Sequence, residues 1–272
     1  MRSGSLTVVG TGIRLSQMSM EARLALKSAD KVLYSVADAV TEKAIKKLNR
    51  TAESLQPFYG PDKYCLVTYR EMVQRILLFV RKRLDVCVAF YGHPGVFVYA
   101  SHEAIRRARL EGFTGRMLPA TSSEDCMFAD LGIDPATCGC QSFEATDFLI
   151  RRRKFDPCSH LILWQIGHIG NWKPEKQDCS KNLRTLVDVL REHYDAKHKT
   201  VLYQAAQYGS CDPLIQRVPL ARIPDAPITP VTTLYVPPKG HAAIDYAMID
   251  CLGIPRSILR RPGRQNCRQG AR

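Results

Sequence analysis

One arrangement occurs twice in this 272-residue chain: a short, mainly apolar run, then glycines, then residues at helical spacing. The sharper copy is Val86-Cys87-Val88-Ala89-Phe90, followed by Tyr91-Gly92-His93-Pro94-Gly95-Val96-Phe97. Beyond it, Ala104, Ile105 and Ala108 fall on one face of a helix over Val98 to Leu110. The other copy is Leu6-Thr7-Val8-Val9, ending in Gly10-Thr11-Gly12. A strand that turns through glycines into a helix is where an α/β sheet opens its binding crevice. Gly92 and Gly95 let backbone pass close to a ligand, Pro94 stiffens the turn, and Tyr91 and His93 add polar handles. The same residues also suit a plain glycine-rich turn with an aromatic at each end. The remainder of the chain decides between the two.

Strand and helix signals alternate through most of the chain. Met18–Ala29, Asp38–Leu48 and Tyr69–Leu84 read as helices around a strand at Lys31–Val36, and Arg50–Val67 reads as a loop. After a short strand at Arg116–Leu118, Thr121-Ser122-Ser123-Glu124 fits a capping box for a helix through Leu131. Leu161–Ile166 reads as a buried strand holding one amide, Gln165, which is either a core hydrogen-bonder or a ligand contact. A helix over Asn182–His193, strands over Val201–Ala206 and Ile228–Val236, and a helix over Ala242–Leu252 follow. This alternation predicts two α/β/α units with mostly parallel sheets. Their expected bounds are 1–118 and 119–240, with a short helix and an Arg-rich tail over 241–272.

Composition narrows the class. The apolar run near the start is too short for a signal segment, and no stretch has the length of a membrane span. A cytoplasmic protein without membrane contact is expected. The ten cysteines are scattered, and Cys138-Gly139-Cys140 has no second pair at zinc spacing. Reduced thiols and no metal are therefore expected. The net charge of +13 is uneven: residues 1–120 hold 19 Lys/Arg against 10 Asp/Glu. The basic clusters carry no interleaved aromatics, which argues against a nucleic-acid platform; each taken singly suits a solvated helix face, and together they could attract an acidic peptide region.

Taken together, the motifs Gly4–Gly12, Tyr91–Phe97, Met117-Leu118-Pro119, Glu124-Asp125-Cys126, Phe128–Pro135, Ser142–Ala145, Asp147–Ile150 and Thr233–Pro238 resemble the methyltransferase domain of the borosin family. The resemblance covers roughly residues 4–238. It implies the tetrapyrrole-methylase fold, two α/β/α domains with the cofactor cleft between them. The implied activity is iterative N-methylation of peptide backbone amides with S-adenosylmethionine, leaving S-adenosylhomocysteine. Some thirty residues follow Pro238 and hold no apolar core peptide, which resembles the split arrangement. In it a separate precursor with a leader or binding domain is methylated in trans. A homodimer forming a heterotetramer with two precursors is implied as well. The nearest alternatives are a tetrapyrrole or RNA methylase of the same fold, and a precursor-binding homologue impaired in catalysis.

For the cofactor, the resemblance points to Tyr91, His93, Val96, Phe97, Ser122, Ser123, Gln165, Ala206, Thr232 and Thr233. For catalysis it points to Tyr59, Tyr69 and Tyr91. An amide nitrogen shares its lone pair with the carbonyl and is a poor nucleophile. A tyrosinate can take its proton if a cation lowers the phenol pKa. The family's arginine, four residues before the second tyrosine, is replaced here by Cys65, so Lys63 or Arg70 is expected to supply the cation.

Overall fold

A computed structural model describes residues 4–172 and 179–259. In chain order its elements are β1 (Ser5–Gly10), α1 (Met20–Ser28), β2 (Lys31–Ser35), α2 (Ala39–Leu48), β3 (Glu53–Ser54), α3 (Cys65–Arg81), β4 (Asp85–Phe90), α4 (Tyr99–Leu110) and β5 (Thr114–Met117). Next come α5 (Ser123–Leu131), β6 (Cys140–Glu144), α6 (Ala145–Ile150), β7 (His160–Trp164), α7 (Ser180–Arg191), β8 (Lys199–Gln204), β9 (Leu214–Pro219), β10 (Thr233–Val236) and α8 (Tyr246–Cys251). Two compact units form. The first holds 4–127, 171–172 and 204–214; the second holds 128–170, 179–203 and 215–259.

In the first unit, strands in the order β3-β2-β4-β1-β5 form one sheet whose pairings are all parallel. Alternation along each strand sends side chains to both faces. Leu6, Val8, Val86 and Val88 pack with α3 and α4 on one face, and Val9, Val32, Cys87 and Ala89 with α1 and α2 on the other. The α3 stripe Met72, Val73, Ile76, Leu77 and Val80 is almost wholly buried. At about 1.5–3 kcal/mol per large apolar side chain, that stripe anchors the face. The helix begins at Cys65 rather than Tyr69, because Tyr64 already stands as its N-cap residue.

The second unit has a mixed sheet in the order β6-β7-β10-β8-β9, not the mostly parallel one expected. β6 and β7 run parallel, while β10 is antiparallel to both β7 and β8. One core gathers Phe148, Leu161, Leu163, Leu202 and Leu234 under α6 and α7. The sequence patterns did not reveal β6, α6 or β9. The strand expected over 228–236 begins only at Thr233, because Thr229–Thr232 forms a turn closed by the Thr232 N–H donating to the Thr229 carbonyl at 3.0 Å. The basic tail is described to Leu259; its remainder lies outside the described residues. No described helix is long and apolar enough to cross a membrane. No cluster of metal-ligating side chains occurs among the described residues.

Candidate active site

Strands β1 and β4 lie side by side at the centre of the first sheet. From β1 the chain departs toward β2, and from β4 toward β5, on opposite sides of the pair. Such a reversal leaves a crevice at the carboxyl ends of the strands. There the two glycine segments are bridged: Gly92 N–H donates to Gly12 O at 3.0 Å, and Gly12 N–H to Gly92 O at 3.3 Å. Both glycines have φ near +70°, a region other residues enter at a cost. Gly10 ends β1, and a Cβ there would stand 2.2 Å from the Gly92 carbonyl oxygen and 2.7 Å from Pro94 Cδ. Only hydrogen fits.

Side chains fix the rest of the turn. His93 Nδ1 accepts the Gly95 N–H at 2.9 Å, which leaves the ring proton on Nε2. The fully buried Ser101 hydroxyl, in the first turn of α4, reaches the carbonyls of Pro94 and Val98. Phe97 holds φ +54°, and strain of this kind in a bulky residue concentrates at binding sites. Val96 and Phe97 are both exposed.

Tyr91 donates its N–H to Ser35 O at 3.1 Å, tying the turn to the end of β2. Its hydroxyl bonds the side chain of Gln207. Burial raises the phenol pKa, and the Gln207 bond opposes that rise in part. Gln207 follows the buried Ala206, whose carbonyl accepts Arg14 Nε at 3.0 Å. So Ala206 does join the unit that holds the turn, although β8 ends at Gln204 and not at Ala206.

Tyr59 and Tyr69 come together, with ring centroids 6.4 Å apart and edge to face. The Tyr69 hydroxyl bonds both Tyr59 and the Cys65 thiol, and its ring lies 6.3 Å from that of Tyr99. Neither expected cation joins them. Lys63 Nζ pairs with Glu71 and donates to Phe58 O at 2.9 Å, and Arg70 is exposed. Burial, the largest cause, raises the pKa of both phenols, and no cation among the described residues lowers either. They are therefore protonated hydrogen-bond donors, and neither Lys63 nor Arg70 is the cation that a tyrosinate would need.

At the start of α5, Ser122 rather than Thr121 is the capping residue. Its hydroxyl donates to Asp125 Oδ2 at 2.6 Å and accepts the Asp125 N–H at 3.2 Å, so that group serves the helix end. Ser123 opens the helix.

The three remaining candidates lie in the second unit, close to one another. Gln165 is not inside a buried strand: β7 ends at Trp164, and Gln165 is exposed with φ 57° and ψ 38°. Ile166 N–H donates to Thr232 O at 3.3 Å. The Thr232 hydroxyl, fully buried, accepts the Thr229 N–H at 2.9 Å, and Thr233 opens β10. Gly167 permits this approach, since a Cβ there would lie 2.2 Å from Thr229 O.

Sequence reasoning missed Gln207, Tyr99 and Ser101. Tyr99 and Ser101 directly follow the glycine turn and were within reach of a local reading; Gln207 had no local signal.

The chain matches the family of Tetrapyrrole (Corrin/Porphyrin) Methylases over residues 5–223. A methyltransferase/ribosomally synthesized type I borosin cyclic peptide precursor of Serendipita vermifera subsp. bescii is 40% identical over 267 residues, 96% of this chain and 65% of that protein. A methyltransferase/ribosomally synthesized cyclic peptide omphalotin A precursor of Omphalotus olearius is 42% identical over 255 residues, 91% of this chain and 61% of that protein. The chain thus spans less than two thirds of either relative. Among solved structures, uroporphyrin-III-C-methyltransferase from Thermus thermophilus superposes with a TM-score of 0.61 at 17% identity, covering 87% of this chain and 92% of that one. At that identity the likeness is one of fold.

Proposed function

The chain belongs to the tetrapyrrole (corrin/porphyrin) methylase family, and from that premise we propose that it methylates backbone amide nitrogens of a peptide supplied as a second chain. The relatives named both methyltransferase and cyclic peptide precursor support the substrate class. The observation that carries the reading is the bridged glycine turn at the reversal point between β1 and β4.

That turn fits S-adenosylmethionine. The donor has no phosphate, so apolar walls and a few oriented polar groups are enough. Val96 and Phe97 supply wall, His93 Nε2–H a donor, and Gly10 and Gly92 open backbone. Ser123, Ala206, Gln165 and Thr233 are retained as proposed contacts; Ser122 and Thr232 would act through the backbone they hold. When bound, S-adenosylmethionine supplies an electrophilic methyl group.

The chain's own residues must make the amide reactive. A hydrogen bond from protonated Tyr59, whose oxygen accepts from Tyr69, to the peptide carbonyl oxygen would draw electrons toward an imidate and acidify the N–H. The nitrogen–hydrogen bond would break with its proton passing to water, and the nitrogen–carbon bond would form as the methyl–sulfur bond of the donor breaks, leaving S-adenosylhomocysteine. Tyr91, held by Gln207, would orient the amide. Cytoplasmic residence and a homodimer binding two peptides complete the proposal, and light scattering with and without peptide tests that assembly.

The decisive experiment is mass spectrometry of a synthetic peptide incubated with the chain and S-adenosylmethionine. Mass should rise in steps of one methylene. Tyr91→Phe should lower the rate by about 100-fold or more with peptide affinity kept; full activity would remove Tyr91 from the catalytic set. Cys65→Arg would place a cation beside Tyr69 and should raise the rate. One observation favours a second reading, a peptide-binding homologue without catalysis: among the described residues no cation stands by the tyrosine pair. Tight binding with no mass change, restored by Cys65→Arg, would establish it.

A further inference from the structure

A depression of about 520 Å³ lies between α4 and β5 in the first unit, lined by His102, Ile105, Arg106, Arg109, Leu110 and Met117. It abuts the glycine turn. His102 Nε2 bonds the Gly95 carbonyl at 2.9 Å, and the Met117 sulfur is 2.9 Å from where a Gly95 Cβ would stand. The floor is apolar: Ile105 and Met117 lie within it, and Leu110 at its edge is 74% exposed. The rim is cationic. Arg106 and Arg109 are exposed, and Arg109 is held along β5 by donating Nε–H to Gly115 O at 2.9 Å. The nearby acid, Glu103, is already bound by Arg106 and Arg107, so the rim keeps a positive balance.

Apolar floor and cationic rim together specify an occupant. We infer that this depression docks an acidic, partly apolar segment of the substrate peptide, set apart from the amides that are methylated. The inference rests on the peptide reading above and gives that peptide a place to be held beside the turn. Nucleic acid would bring planar bases, and no Phe, Tyr or Trp lines the depression to stack on them, while the His102 ring is tied to the Gly95 carbonyl. Leucine or isoleucine side chains would cover Leu110, while carboxylates would meet Arg106 and Arg109.

The test uses the full chain and fluorescence anisotropy with three labelled probes: a short Glu/Leu peptide, its Lys/Leu counterpart and an oligouridylate. The Glu/Leu peptide should bind, and more weakly as salt is added. Arg106→Glu with Arg109→Glu should weaken it on the order of tenfold or more. Arg106→Lys with Arg109→Lys should largely restore binding. Leu110→Ser should weaken it with the salt dependence unchanged, and serves if the double reversal does not fold. Unchanged affinity in the reversal and Leu110→Ser variants, equal binding of the Lys/Leu peptide, or displacement by oligouridylate would overturn the inference. Methylation separates the two ideas. If substrates with and without an acidic segment share one KM, docking fails while the methylation reading stands. If the Glu/Leu peptide binds as described and no peptide is methylated, the docking surface stands and the methylation reading fails.

Discussion

The strand ends of the two units solve one packing problem by different means. In the first, Gly10 gives way to the Gly92 carbonyl, and left-handed Phe97 follows. In the second, Gly167 gives way to the Thr229 carbonyl, and left-handed Gln165 precedes it. β1 and β4 are parallel, so both carboxyl ends reach the same edge and two glycine segments meet there. β7 and β10 are antiparallel, so the end of one strand meets the approach to the other, and a threonine turn stands where the second glycine segment would be. Parallel pairing gathers loose backbone ends at one edge; antiparallel pairing has to close them with side chains.

Paired substitutions sharpen that contrast. The largest effect is expected from Gly10→Ala, whose new carbon would strike Gly92 O, Ala120 Cβ and Pro94 Cδ at once. About 3 kcal/mol or more should be lost in chemical denaturation. Gly167→Ala meets the Thr229–Pro230 backbone first, a single turn rather than two separate segments, and should cost less, about 1–3 kcal/mol. Equal losses would mean that the two edges are equally rigid.

Buried hydroxyls come next. Thr232→Val leaves the Thr229 N–H without its acceptor and should cost about 1–3 kcal/mol by thermal unfolding. Ser101→Ala removes a donor from carbonyls that retain lone pairs and should cost about 1 kcal/mol. A larger loss at Ser101 would reverse the view that side chains matter more in the second unit.

Smaller still is the release of strain. Phe97→Gly and Gln165→Gly remove the left-handed penalty but loosen the unfolded chain, so stability should change by less than about 1 kcal/mol. If the strained residues face ligand, S-adenosylmethionine affinity in calorimetry should fall nonetheless. Unchanged affinity in both variants would mean that the strain serves only the fold.

The smallest effect concerns acid. Glu103 in the first unit is held at about 2 by Arg106 and then Arg107, and Asp147 in the second is lowered by Arg153 and then Arg151. A carboxylate with a lowered folded pKa adds stability above its unfolded pKa, about 4, and loses it as pH falls. The loss should run from about pH 4 toward 2, and solvent screening should keep it slight. Stability curves of Glu103→Gln and Asp147→Asn should lack that slope.

Much of the first unit was legible in the sequence. Its strands are buried on both faces and read as continuous apolar runs, and its helices repeat at 3.6 residues, so β1, β2, β4 and α1 to α4 fall close to expectation. The second unit was read less well. β6 carries Cys140-Gln141-Ser142, and β9 alternates weakly around Gln216 and Arg217, so neither shows a strand pattern. The glycine turn could be placed from residue type and spacing, whereas Tyr59 and Tyr69 were singled out only by the family resemblance.

Apolar periodicity and glycine, by themselves, determined which segments become strands and helices and where the backbone must turn, because those preferences act within a few residues. Tertiary structure alone decided which polar groups meet. It brought Gln207 to the Tyr91 hydroxyl, gave Lys63 to Glu71 instead of the tyrosines, and set Gln165 outside its strand. A long polar side chain has many partners of equal chemistry within reach, and only the fixed positions of distant segments choose among them.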